Sequence, residues 1–222
     1  MLICCWSSKG GVGTTVVATG LALVLARASA AGALLVDLRG DVPSVLGLAG
    51  DHADGGLATW TSAPGSRPER DAEVPVGGGL AVVRRGTGAL EPAGADALVA
   101  TLAADPRPVV VDAGVLPAPG RSASPDDEVA LACARGASRS LLVVRPCFLA
   151  LRRALSAPVR ASGVVVVTEG GRALGSVDVA DALGLPVLAE VQVTAQVARA
   201  VDAGLFATRL PRSFERELRD AA

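Results

Sequence analysis

Short apolar runs recur along the chain at residues 2–6, 33–38, 80–83, 108–111, 140–145, 163–168 and 186–191, most of them bounded by Gly, Pro or charge. Each has the length of a strand, and apolar residues at successive rather than alternate positions suit a strand covered on both faces. Between them lie Ala-, Leu- and Arg-rich stretches with helical spacing, at residues 15–31, 93–104, 128–135, 149–157, 177–183 and 195–203. This alternation predicts an α/β fold: a mostly parallel sheet with helices on both faces, right-handed crossovers, and ligands collecting beyond the carboxyl ends of the strands. Two stretches break the rhythm. Residues 50–79, rich in Gly, Pro, Asp and Ser, read as a flexible surface connection with one short helix at most, and residues 116–127, with three prolines, as a second loop. The last residues, 212–222, read as a short charged helix whose Phe214 and Leu218 are suited to docking on the body of the protein. That apolar face is too small for a strong membrane anchor.

With 222 residues, the chain is expected to form one domain over 1–222. Half the residues are apolar and only 2% aromatic, so Val, Leu and Ala must fill the core. No apolar run reaches the ~18 residues of a membrane span, and no signal-peptide pattern opens the chain, so a cytoplasmic location is expected. Cys4, Cys5, Cys133, Cys147 and the single His52 lack metal-ligand spacing and read as buried thiols and an isolated imidazole. A net charge of −1 gives no support to a DNA-coating surface; Arg152, Arg153, Arg160 and Arg199 would have to share a face to supply one. The chain has 20 arginines, one lysine and no asparagine or tyrosine, the mark of GC-biased coding DNA. Lys9 resists that drift, and it lies where an ammonium charge has a use on phosphate.

That place is the segment Ser7-Ser8-Lys9-Gly10-Gly11-Val12-Gly13-Thr14-Thr15, between the first predicted strand and a long apolar helix. Glycines let the backbone curl so that successive N–H groups point inward, and the helix adds its positive end, which together make an anion cradle. The loop resembles the deviant Walker A motif, KGGxGKT, of the ParA/MinD family of P-loop ATPases. The resemblance implies that Lys9 reaches the nucleotide of a partner subunit in a homodimer, that residues 9–15 hold the phosphates of ATP or ADP, and that Thr15 is a ligand of Mg²⁺. Thr14 stands where the motif has its second, phosphate-binding lysine. Losing such a charged donor costs about 1.5–3 kcal/mol, so binding is expected to be weakened but not abolished.

Further matches follow in the family's order. Residues 34–38 resemble the second strand, with Asp37 as the first carboxylate near the metal; Arg39 replaces the aspartate that positions the attacking water. Asp41 lies close enough in sequence to be a substitute. Val109-Val110-Val111-Asp112 has the form of a Walker B strand, which implies a place for Asp112 in the magnesium shell. The turn at residues 168–172 lacks the family's base-facing Asn, so adenine and guanine are not distinguished.

With both the phosphate lysine and the catalytic aspartate replaced, the resemblance implies a nucleotide-binding positioning protein with weak or no ATP hydrolysis. The GGVGTT loop is most similar to that of the TadZ/CpaE-like branch, which implies a protein partner in a pilus or secretion machine. Two alternatives stay open: an active ParA-like partitioning ATPase using Asp41, and a MinD-like division-site regulator.

Overall fold

The computed structural model describes residues 1–48, 55–63, 72–170 and 173–222. Strand β1 (Leu2–Ser7) lies inside the sheet and is followed by α1 (Thr14–Ala28), β2 (Ala33–Asp37), α2 (Val42–Leu46), α3 (Leu57–Ser62), β3 (Glu73–Gly77) and β4 (Leu80–Val83). The second half continues with α4 (Ala95–Ala103), β5 (Val109–Val115), α5 (Pro125–Gly136), β6 (Arg139–Val144), α6 (Phe148–Leu155), β7 (Gly163–Thr168), α7 (Ser176–Leu183), β8 (Val187–Gln192), α8 (Ala195–Asp202) and α9 (Arg212–Glu217). Among the described residues the strands form one sheet in the order β3-β4-β2-β5-β1-β6-β7-β8, parallel throughout except for β3.

Alternate residues of β1 feed two cores. Leu2, Cys4 and Trp6 join the layer formed with α3, α4, α5, α6 and α7, while Ile3 and Cys5 join the layer of α1, α2, α8 and α9. Helix α1 is buried along nearly its whole length because α9 covers the side turned away from the sheet. At Gly20 a Cβ would stand 2.7 Å from the Phe214 ring and 2.9 Å from Leu218, so the missing side chain is what lets α9 settle there. Phe214 and Leu218 thus spend their apolar surface inside the molecule, as expected from the sequence.

Glu73–Gly77, inside the stretch read as a connection, is an edge strand antiparallel to β4. Pro75 costs an edge strand nothing, and Arg107 fixes Glu73 through bonds of 2.7 and 2.8 Å. Gly77, Gly78 and Gly79 all take positive φ in the turn that follows, which other residues rarely adopt. The second expected loop is also shorter: α5 begins at Pro125, where Ser124 and Asp127 form a reciprocal capping box, and Asp126, Asp127 and Glu128 complement the helix dipole.

Candidate functional site

The order of strands reverses direction around β1: the chain leaves it towards β2 on one side and later returns to build β6 on the other. Such a reversal opens a crevice at the carboxyl ends of the central strands. The loop after β1 fills its floor. Gly11 (φ 73°) and Gly13 (φ 95°) turn the backbone left-handed, and Gly13 caps α1, whose first residues are Thr14 and Thr15. A cleft of about 500 Å³ is lined here by Ser7, residues 10–16, Arg39, Asp41, Gly114 and Val115. Ser8 and Lys9 lie at the loop's start, where the Ser8 hydroxyl donates to the Ala150 carbonyl at 3.1 Å and so ties the loop to α6. Lys9 is half-buried, and no hydrogen bond or ion pair engages it among the described residues.

Two carboxylates sit directly opposite each other on neighbouring strands, Asp37 at the end of β2 and Asp112 on β5. Both are fully buried. Asp37 is well supplied with donors: Oδ1 accepts from the amides of Arg39 (2.9 Å) and Gly40 (2.7 Å), and Oδ2 from Val42 (3.2 Å). It therefore shapes the turn into α2. Burial pushes it above the usual carboxylate range against these amides, with Asp41 adding to the rise. Asp112 is less satisfied: Oδ1 accepts from the Gly114 amide at 3.1 Å, while Oδ2 is buried without a hydrogen-bond partner. Burial lifts Asp112 to about 7, opposed by the Thr15 hydroxyl beside it and helped by the charge of Asp37.

An unpaired buried carboxylate oxygen is costly, and here it belongs to a carboxyl that has the Thr15 hydroxyl, at the start of α1, beside it. That donor set fits Mg²⁺, which takes one or two protein oxygens and completes its shell with water and phosphate. Asp112 and Thr15 would hold the ion. Among the described residues no group of three His, Cys, Asp or Glu side chains forms a self-sufficient metal cage. Cys4, Cys5 and Cys133 are buried thiols whose titration burial pushes up, and Cys147 is half-buried; His52 lies outside the described residues.

Arg39 does something its place in the motif did not announce. Its stem crosses Gly114, where a Cβ would stand 2.6 Å from Arg39 Cγ. Its Nε donates to the Ala113 carbonyl at 2.8 Å, and Nη2 donates to the Val115 carbonyl at 2.9 Å and to Asp127 Oδ1 at 3.0 Å. The Ala113 carbonyl sits at a bulge of β5, where the register against β1 passes from Cys5–Asp112 to Trp6–Gly114. Against the penalty of burial, hydrogen bonds from Ser124 and Arg39 hold Asp127 below the usual carboxylate range. Asp41 is exposed and lines the cleft, an orientation the sequence left open. The turn after β7 is only partly described: residues 171 and 172 lie outside it, and Glu169 pairs with Arg145 at 2.5 Å.

No protein-family model and no curated protein matches this chain. Its fold is nevertheless shared with solved structures across nearly its whole length. A ParA family ATPase from Chlorobium tepidum TLS superposes with a TM-score of 0.79 at 16% identity, covering 99% of this chain and 97% of the other. The cell division ATPase MinD of Pyrococcus furiosus gives 0.78 at 19% identity, over 99% and 97%. The septum site-determining protein MinD of Pyrococcus horikoshii OT3, complexed with Mg-ADP, gives 0.75 at 16%, over 99% and 92%. At these identities the likeness is one of fold: the α/β P-loop NTPase architecture with its mostly parallel sheet.

Proposed function

We propose that this chain is a nucleotide-binding positioning protein of the ParA/MinD type, located in the cytoplasm, that holds ATP or ADP with Mg²⁺ and hydrolyses it weakly or not at all. The observation that carries the reading is a cleft lined by the glycine loop and the start of α1, with the Asp112 carboxyl, one of whose oxygens is unpaired, buried beside the Thr15 hydroxyl. The Mg-ADP complex of the Pyrococcus horikoshii neighbour supports the choice of ligand. Arg39 supports slow turnover: a protonated guanidinium has no lone pair with which to orient or deprotonate water, and this one is already committed to three acceptors.

Lys9, half-buried and unpaired among the described residues, supports the further reading that two copies pair face to face across the nucleotide. Sedimentation velocity with ATP and Mg²⁺ tests it. Wild type is expected to dimerise and Lys9→Ala to remain monomeric while still binding nucleotide; a monomer in both contradicts the pairing. The machine it positions we read as a pilus or secretion apparatus, on the resemblance of its GGVGTT loop to the TadZ/CpaE-like one. A deletion strain whose pili keep their normal distribution contradicts that assignment.

One observation favours a second reading, an active partitioning ATPase. Asp41 is exposed and lines the cleft, so a carboxylate is available there in place of the missing aspartate. Under this reading phosphate release is measurable and Asp41→Asn abolishes it; turnover indifferent to that change removes Asp41 from the chemistry.

A further inference from the structure

Thr14 and Arg39 line the same cleft, one at the start of α1 and the other on the loop that follows β2. Against the motif the loop resembles, position 14 lacks a phosphate-binding cation and position 39 a carboxylate. Geometry connects them. The bonds of Arg39 use Nε and Nη2 only, on Ala113, Val115 and Asp127, and Nη1 has no hydrogen-bond partner among the described residues. A guanidinium is planar, so anchoring two of its nitrogens also fixes the directions of the two N–H bonds on the third. Gly114 is shaped for this arrangement, since any side chain there would collide with the arginine's stem.

We infer that Arg39 is a phosphate-binding residue of this cleft, supplying from the β2 side the positive charge that Thr14 does not supply from the loop. The inference rests on the nucleotide reading above and sharpens it. Asp41 faces the same space, so an anion entering without a metal ion meets a like charge that the arginine offsets. Asp127 bonds the guanidinium through Nη2 alone, so it anchors the arginine while leaving Nη1 for an anion. One substitution then has two effects: it removes the group that orients water and adds a group that holds phosphate. The ligand class that follows is a nucleoside di- or triphosphate, favoured over a monophosphate because a longer phosphate chain offers more charge to the added cation.

The test is calorimetric titration of the full chain, with Mg²⁺, against AMP, ADP and inorganic triphosphate, for wild type, Arg39→Met and Arg39→Lys. Removing the charge is expected to weaken ADP and triphosphate about 10- to 100-fold. AMP should change much less, and the lysine variant should recover part of the loss. Adding Thr14→Lys to the Arg39→Met protein should restore binding. Equal ADP and triphosphate affinities in wild type and Arg39→Met overturn the inference and leave the nucleotide reading standing, as does an equal loss for all three ligands. Arg39-dependent binding of triphosphate without binding of ADP keeps the inference and overturns the nucleotide reading; a wild type that binds neither overturns both. Should Arg39→Met lose its cooperative melt, Arg39→Gln, neutral but still able to donate to a backbone carbonyl, takes its place with the same expected outcomes.

Discussion

Asp112 keeps one carboxylate oxygen on the Gly114 amide and leaves the other buried without a partner. Its carboxyl, lifted by burial to about 7, titrates near 4 in an unfolded chain. The folded protein therefore holds a proton between these values that the unfolded chain has released. This contribution to stability is full below about pH 4 and is lost as the pH rises through about 7. Asp112→Asn removes the titration while keeping an acceptor for Gly114. It should unfold in urea like wild type near pH 4 and resist urea better than wild type near pH 8, and it should lose the Mg²⁺-dependent part of nucleotide affinity. An equal shift at both pH values contradicts the assignment of the strain to this carboxyl. The loop residues and the two buried aspartates were legible in the sequence because each sits at the end of a contiguous apolar run or within a contiguous motif. The work done by Arg39 was not. Its acceptors at Ala113 and Asp127 lie 74 and 88 residues away in the chain, and only the folded sheet brings them together.

At the scale of elements, the central parallel strands announced themselves because burial on both faces writes a continuous apolar run. Strand β3 did not, since it covers only an edge, contains a proline and ends in glycines. The start of α5 was hidden by Pro125 at its first position and by the two prolines before it, although Ser124 and Asp127 stand at capping-box spacing. That cap also steadies the carboxylate that Arg39 grips. Ser124→Ala is expected to cost about 1 kcal/mol in chemical unfolding. It should also weaken triphosphate binding modestly, by loosening Asp127 beneath the guanidinium; a stability loss with unchanged affinity would separate α5 from the cleft. On the opposite layer, Phe214→Ala should cost about 3–5 kcal/mol, because it empties the space that Gly20 leaves on α1. Urea unfolding reads this directly, and a loss below 1 kcal/mol would show that α9 is not seated as described.

The molecule as a whole places its glycine loop at the reversal of strand order, with the two apolar layers behind it. The alternation of strands and helices was enough to predict this architecture, because it depends on periodicity that each segment carries by itself. Surface patches depend on the folded arrangement instead. Arg152 and Arg153 belong to α6 in one layer and Arg199 to α8 in the other, so the four arginines considered for a nucleic-acid surface do not share a face. Among the described residues no helix is long and apolar enough to cross a membrane. Under the proposed function the cleft holds a nucleotide without consuming it. The direct measurement is titration of the purified chain with ATP and ADP in the presence of Mg²⁺, following heat and phosphate release in the same sample. Saturable heat is expected in wild type and is expected to fall when Mg²⁺ is withdrawn, whereas Asp112→Asn should bind weakly and respond little to Mg²⁺; phosphate release should stay at or near the buffer blank. Sustained phosphate release at saturating ATP, or no heat at millimolar nucleotide, contradicts it.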